Sequence, residues 1–382
     1  MAVQPELDRK LEDFYAELKR LSIVGHWQRE QAVSNEPRAD VRPWLWRWQD
    51  MRACALAAAE FMPVGDEGAE RRALTMQNPT SKTRGTTRTL VSAIQIVYPG
   101  EEALSHRHTN AALRFIIEGE GAYTIVDGQP VSMAPGDFLI TPSWSWHGHA
   151  HDGSGPMMWL DVLDAPLIAA MDWRFYEEYD SPNRLQPAEG PCDSSLRRFA
   201  AGGLVPLAAR NSSAPHSPLF RWQRDQTLEA LDKLTEDDAS PYDGLALAYT
   251  DPSTGGPVMP TIDCTIQRLP AGYRTKAHRH TTNTIYHVVQ GSGFSVIDGL
   301  RFDWQKSDTF CVPNWCWHEH SAAPNEQAVL FAASDAPVLQ ALHVYREQAY
   351  ENNGGHQLVT GTVEGSPSPS PQPSPRGRGS YL

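Results

Sequence analysis

The residues best suited to chemistry are histidines in a repeated spacing. His106 and His108 stand one residue apart, and His147 follows within Trp144-Ser145-Trp146-His147-Gly148-His149. Alternate residues of a β-strand point to one face. His106 and His108 therefore share a face, and a third histidine on a paired strand completes one side of an octahedron. Neutral imidazole nitrogens are good ligands for iron, zinc, nickel or copper. The triplet returns at His278, His280 and His318, which marks a possible second metal site. A single His-x-His on a strand is usually an ordinary core or surface pair; duplication of the whole set points to metal binding.

The elements that must position these histidines are short strands. From about residue 71 the chain reads as β-rich runs broken by Gly, Pro and Asp-Gly, such as Ser92–Tyr98, Ala112–Ile117, Gly121–Val126 and Asp137–Thr141. Such spacing with hairpin signals indicates an antiparallel sandwich or barrel. Ahead of it, residues 5–22 place Leu7, Leu11, Phe14, Leu18 and Leu21 at amphipathic helical spacing. Pro43-Trp44-Leu45-Trp46-Arg47-Trp48 is expected to open a second helix that continues through Ala53–Ala59. Residues 176–217, rich in Pro, Ser, Asn and Ala, read as a surface linker. Gly365–Leu382, with its Ser-Pro repeats, reads as disordered.

Self-comparison shows that one unit occurs twice. At an offset of about 172 residues, Gln95 meets Gln267 and His106-Arg107-His108-Thr109 meets His278-Arg279-His280-Thr281. Asp127-Gly128 then meets Asp298-Gly299, and Trp144, Trp146 and His147 meet Trp315, Trp317 and His318. Trp46-Arg47-Trp48-Gln49 has an echo in Phe220-Arg221-Trp222-Gln223, so each copy includes its preceding helix. The expected architecture is mainly β: two tandem jelly-roll barrels with an N-terminal helical segment. The expected divisions are helical residues 1–62, a first, catalytic barrel at 63–175, a linker and helix at 176–240, a second barrel at 241–346 and a tail at 347–382.

Composition narrows the partners. The 382 residues carry a formal charge of −13 and no basic stripe, which argues against nucleic acid or an anionic membrane. No apolar run reaches the roughly 18 residues of a membrane span, and the first residues lack the pattern of a signal peptide. Five cysteines without a Cys-x-x-Cys pair fit a reducing cytoplasm.

The pattern Gly100-x5-His106-x-His108, Gly119, then Gly136-Asp137-x4-Pro142-x4-His147 resembles the two motifs of the cupin superfamily. The glutamate usual in the first motif is replaced by Ala112, leaving three neutral histidines and no protein carboxylate. The longer strings His106-Arg107-His108-Thr109-x-x-Ala112-Leu113-Arg114-Phe115 and Trp144-x-Trp146-His147, with Arg71-Arg72 upstream, resemble the gentisate and salicylate 1,2-dioxygenases. The resemblance spans roughly Trp44 to Arg346. It implies Fe(II), O2 as co-substrate, a homo-oligomer (a homotetramer by family analogy) and a small aromatic carboxylate as substrate. The implied reaction opens gentisate or a 5-substituted salicylate between the carboxyl- and hydroxyl-bearing carbons. Alternatives are a 1-hydroxy-2-naphthoate dioxygenase, a metal-dependent cupin isomerase, and a bicupin that only binds small molecules.

Within that reading, Arg114 is the candidate carboxylate binder. It lies six residues after His108 and so shares its face, and guanidinium offers two parallel hydrogen bonds to a carboxylate. One of Arg71 and Arg72 points inward and adds charge. His149, two residues past His147, returns to the same face, suited either to bond the phenol or bound oxygen or to orient a ligand. Asp161 resembles a family acid that orients a histidine or arginine. Val91 and Ala93 stand where the family has an aromatic and a glycine, so the cavity wall is remodelled; Val91 and the bare Gly148 are expected to make room for a ring substituent. In the second copy Tyr286 replaces Arg114, Ala332 replaces Asp161, and the arginine pair falls opposite Asp243-Gly244-Leu245. Chemistry is therefore expected in the first copy.

Overall fold

The computed structural model describes residues 3–28, 35–65, 69–181, 184–202, 204–209 and 214–363. It divides into two units, Met1–Arg38 and Ala39–Leu382. The first carries the expected amphipathic helix as Val3–Arg20, ending with Arg20 paired to Glu17. In the same unit the Trp27 indole donates to the Tyr15 hydroxyl at 3.1 Å.

The second unit holds two barrels, each made of two facing sheets, antiparallel throughout except where Leu300–Phe302 pairs in parallel with Gly361–Val363. In the first barrel, one sheet runs in the order Arg221–Trp222, Phe138–Thr141, Ala112–Glu118, Met157–Leu163, Val91–Val97, Ala73–Thr75. It faces Tyr176–Glu178, Glu102–His108, His147–His151, Ala122–Val126 and Gln129–Ser132. The second barrel repeats this, with Asp263–Leu269, Thr284–Gln290, Thr309–Val312 and Ala328–Ser334 in one sheet and His278–His280, His318–Ala322, Ser292–Ile297 and Leu300–Gln305 in the other. Both Asp-Gly pairs form two-residue hairpin turns in which both residues are left-handed: Asp127 and Gly128 at φ 46° and 81°, Asp298 and Gly299 at 47° and 78°. That backbone matches the twist of the flanking strands and favours Asp-Gly.

The lead-in segment departs from expectation. Trp44–Trp46 is a strand, and the helix begins only at Trp48 and ends at Phe61. Proline fixes φ but is also tolerated at the start of an edge strand, and aromatic residues suit a half-buried pleated surface. This strand pairs with Thr309–Cys311 of the second barrel, while its echo, Arg221–Trp222, pairs with Phe138–Leu139 of the first. Each copy therefore lends its leading strand to the other barrel. Arg47 Nη1 lies 3.0 Å from Asp308, and Arg221 meets Asp137 at 2.6 Å. Between the barrels Phe115 and Phe138 meet Phe331 at ring distances of 4.7 and 5.4 Å, so the two copies share one apolar core.

Residues 176–217 do more than link. Tyr176–Glu178 adds a strand beside His106–His108, and Ser194–Phe199 is a short helix. Of the expected tail, Glu347–Ala349 and Gly361–Val363 are edge strands of the second barrel; the expectation of disorder concerns residues outside the described ones. Among the described residues no helix is long and apolar enough to cross a membrane, and all five cysteines are free.

Candidate functional site

His106 pairs across the ladder with His147, and His108 follows on the same face of its strand. The candidate ligand nitrogens of the three lie within 4.8 Å of one another. Each ring is held by its far nitrogen. His108 Nδ1 donates to the Asn110 carbonyl at 2.8 Å and His147 Nδ1 to the Ser145 carbonyl at 3.0 Å. His106 Nδ1 is bound by the Glu70 carboxylate, which also accepts from the Tyr176 hydroxyl at 2.7 Å. Fixing Nδ1–H leaves every Nε2 lone pair facing the common point. Burial, reinforced by Arg71, pushes His106 down to about 4; burial, with His106 beside it, pushes His108 down to about 4. His147 is also pushed down by burial. The imidazoles are thus neutral at pH 7, the form that binds a metal. Burial alone would raise the Glu70 carboxyl, but its bonds to His106 and Tyr176 hold it at about 2.

The duplicated Trp-x-Trp motif has a mechanical role. Arg107, pointing outward between the two ligands, lies 4.5 Å from the rings of both Trp144 and Trp146. Arg279 lies 4.4 Å from both Trp315 and Trp317. The guanidinium clamps the loop that delivers the third histidine onto the strand that carries the first two. Trp144 and Trp315 both sit at φ 62°, a left-handed backbone unusual for a bulky residue.

The triad opens into a cavity of about 670 Å3. Its walls include Arg71, Arg114, Val91, Ala93, Gln95, Asn110 and Asp161, and Arg174, Phe175 and Tyr176 lie on the strand side. Arg114 sits opposite Asp161 in the ladder, its Nε 3.3 Å from the carboxylate, and its Nη1 is held by Thr141. The Trp159 indole donates to both Asp161 oxygens at 3.1 Å. Burial pushes the Asp161 carboxyl up to about 6, against the pull of Arg114. Arg71 reaches the Leu104 and His147 carbonyls at 3.1 and 3.2 Å. Burial and the nearby Arg114 bring Arg71 down to about 10. Two buried guanidiniums line the cavity, and Arg71 Nη1 and Arg114 Nε have no hydrogen-bond partner among the described residues, so donors remain for an anion.

Other candidates are placed elsewhere. Arg72 turns to the opposite face, where Glu101 binds both its amines and Met62 accepts at 3.0 Å; it does not line the cavity. Gly148 also points away. A Cβ there would meet Ser105 Oγ at 2.5 Å and Leu185 Cδ1 at 2.8 Å, so the glycine admits the wrapping segment and not a ring substituent. His149 is fully buried against Trp159, is not among the residues lining the cavity, and has no partner at either ring nitrogen. Sequence reasoning missed Glu70 and Tyr176. Glu70 adjoins Arg71 and could have been suspected, whereas Tyr176 lay in a stretch read as linker.

The cupin domain family matches residues 93–163 and 265–334. The chain is 38% identical to a 5-aminosalicylate 1,2-dioxygenase of Comamonas sp, over 94% of this chain and 95% of that one. It is 35% identical to gentisate 1,2 dioxygenase 1 of Aquipseudomonas alcaligenes, over 90% and 98%. The crystal structure of a salicylate 1,2-dioxygenase from Pseudaminobacter salicylatoxidans superposes with a TM-score of 0.82 at 34% identity, covering 89% and 97%. The chain belongs to the gentisate and salicylate 1,2-dioxygenase family.

As a bicupin ring-cleaving dioxygenase it has a donor set that fits a divalent first-row metal: three neutral, pre-oriented imidazoles on one face. The two barrels are not equivalent in what surrounds that set. Where Arg114 faces Asp161 in the first, Tyr286 faces Ala332 in the second.

Proposed function

We propose that the protein is an Fe(II)- and O2-dependent dioxygenase that opens a 2-hydroxybenzoate ring, gentisate or a 5-substituted salicylate such as 5-aminosalicylate, between the carboxyl- and hydroxyl-bearing carbons. The observation that carries this reading is the convergence of Arg71 and Arg114 on the cavity that holds the histidine triad. His106, His108 and His147 would hold the iron, which when bound would supply a Lewis-acidic, redox-active centre for the hydroxybenzoate and dioxygen. Arg114 takes the substrate carboxylate, with Asp161 and Thr141 fixing its fork, and Arg71 adds the second positive charge. Such fixed charges act strongly in a site that excludes water. His149, buried between His147 and Trp159 and off the cavity wall, is assigned a role in orienting His147 and not a contact with the phenol oxygen. Val91 and Ala93 leave room beside the ring.

The free cysteines fit a cytoplasmic enzyme, and the family relationship favours a homotetramer. The test is anaerobic Fe(II) reconstitution followed by oxygen-uptake assays with gentisate, salicylate, 5-aminosalicylate and 1-hydroxy-2-naphthoate. Uptake with a monocyclic acid supports the reading. Uptake with the naphthoate alone moves the substrate to the bicyclic class, and no uptake with any of the four overturns the assignment.

A further inference from the structure

The second barrel keeps three histidines and inverts the charge around them. Candidate ligand nitrogens of His278, His280 and His318 lie within 4.8 Å of one another, as in the first barrel. His318 Nδ1 donates to the Cys316 carbonyl at 3.0 Å, the same tie that orients His147, and His280 Nδ1 pairs with Thr282 Oγ1 at 2.5 Å. Both rings thereby turn Nε2 to the common point. His278 Nε2 stands 2.8 Å from His318 Nε2. His278 Nδ1 has no partner among the described residues, and two imidazole nitrogens at that separation share either a proton or a cation.

Strand register shows what replaced the substrate groups. Ala73 pairs with Gln95 and Ala246 with Gln267, and the two glutamines are equivalent. Counting back three residues from each alanine, Asp243 stands in the place of Glu70; counting back two, Gly244 stands in that of Arg71. Tyr176 pairs with His108, whereas Glu347 pairs with His280. The cavity over this triad is lined by three carboxylates, Asp243, Asp263 and Glu347, and by no arginine or lysine among the described residues. Its volume is about 230 Å3, against 670 Å3 in the first barrel and roughly 300–1,000 Å3 for ordinary small-molecule pockets.

An aromatic carboxylate entering this space meets like charge and too little room. A divalent cation meets imidazoles in a field of carboxylates, which is the donor chemistry of first-row metals. We propose that the second barrel is a divalent-metal site in its own right, ligated by His278, His280 and His318, completed by water and closed to aromatic acids. This goes beyond the reading of the first barrel and does not rest on it, because metal can be counted without turnover.

The experiment uses the full chain, stripped with chelator and titrated anaerobically with Co(II), with bound metal measured by elemental analysis and the visible spectrum. Two cobalt ions per chain are expected in the wild type, one in His106→Ala and one in His278→Ala. Gentisate is expected to leave the spectrum of His106→Ala unchanged. One ion per wild-type chain, undiminished by His278→Ala, overturns the proposal, as does a gentisate-induced change in His106→Ala. If His278→Ala does not fold, His280→Gln gives the same count. A gentisate response absent also from His278→Ala would count against the first-barrel reading while leaving the stoichiometry of two intact.

Discussion

Arg114 faces Asp161 across neighbouring strands of the first barrel, Nε 3.3 Å from the carboxylate, and both are almost fully buried. Removing either partner of a buried pair strands the other. We expect Arg114→Ala to lower kcat/KM for a hydroxybenzoate by about 10- to 100-fold, from the roughly 1.5–3 kcal/mol of a hydrogen bond to a charged group, mainly through KM. It should also lower the melting temperature. Combining Arg114→Tyr with Asp161→Ala, the residues of the second barrel, should recover stability but not activity. Oxygen-uptake kinetics and thermal unfolding read the two effects separately, and unchanged KM in Arg114→Ala sinks the carboxylate role.

Adjacent arginines should behave oppositely. Arg71→Ala is expected to raise KM, since Arg71 lines the cavity. Arg72→Ala should leave KM unchanged and cost about 1–3 kcal/mol of stability, because Arg72 is spent on Glu101 and Met62. A KM effect in Arg72→Ala equal to that of Arg71→Ala contradicts the observed facing.

Arg107 touches neither cavity nor triad, yet it holds the Trp144 and Trp146 rings at 4.5 Å. Two cation–π contacts contribute about 0.5–1 kcal/mol each. Arg107→Ala should therefore weaken metal binding in the first barrel by roughly 5- to 30-fold, as read by Co(II) titration of the His278→Ala background. Arg107→Lys should restore only part of this, because an ammonium does not stack between two rings. Undiminished affinity in Arg107→Ala would show that the loop holds itself.

The exchanged strands predict a stability difference. The Arg221–Asp137 pair is buried on both sides, whereas the Arg47 side chain is 26% exposed beside a fully buried Asp308. Arg221→Ala should cost about 3–5 kcal/mol and Arg47→Ala less. Chemical denaturation of the two variants checks the order, and equal losses would refute it.

Gly148→Ala should destabilise the fold, because its Cβ would enter the Ser105 and Leu185 contacts, without changing preference among ring substituents. Val91→Trp, at the cavity wall, should instead disfavour 5-aminosalicylate relative to salicylate. Ratios of kcat/KM across the two substrates separate the positions; a substrate shift in Gly148→Ala would place it in the site after all.

Much of the site was legible because it is local and periodic. The two-residue period put His106 and His108 on one face, and the repeat marked Arg114 and Asp161 as what the second copy lacks. The reading failed where contacts are long-range. Trp44–Trp46 carries no period long enough to separate strand from helix, and its conformation is set by a partner strand more than 260 residues away. Tyr176 acts on His106 through Glu70, from a segment whose composition resembles a linker.

By itself, the sequence determined the ligand types, their spacing, their duplication and the inequality of the two copies, since these are properties of residue identity and strand periodicity. Only the tertiary structure decided that Arg71 and not Arg72 faces the cavity, that Gly148 faces outward, that Glu70 and Tyr176 hold His106, and that each copy lends its leading strand to the other barrel. Those outcomes depend on register and on the meeting of residues far apart in the chain, where burial and complementary charge choose among arrangements that local sequence leaves equally open.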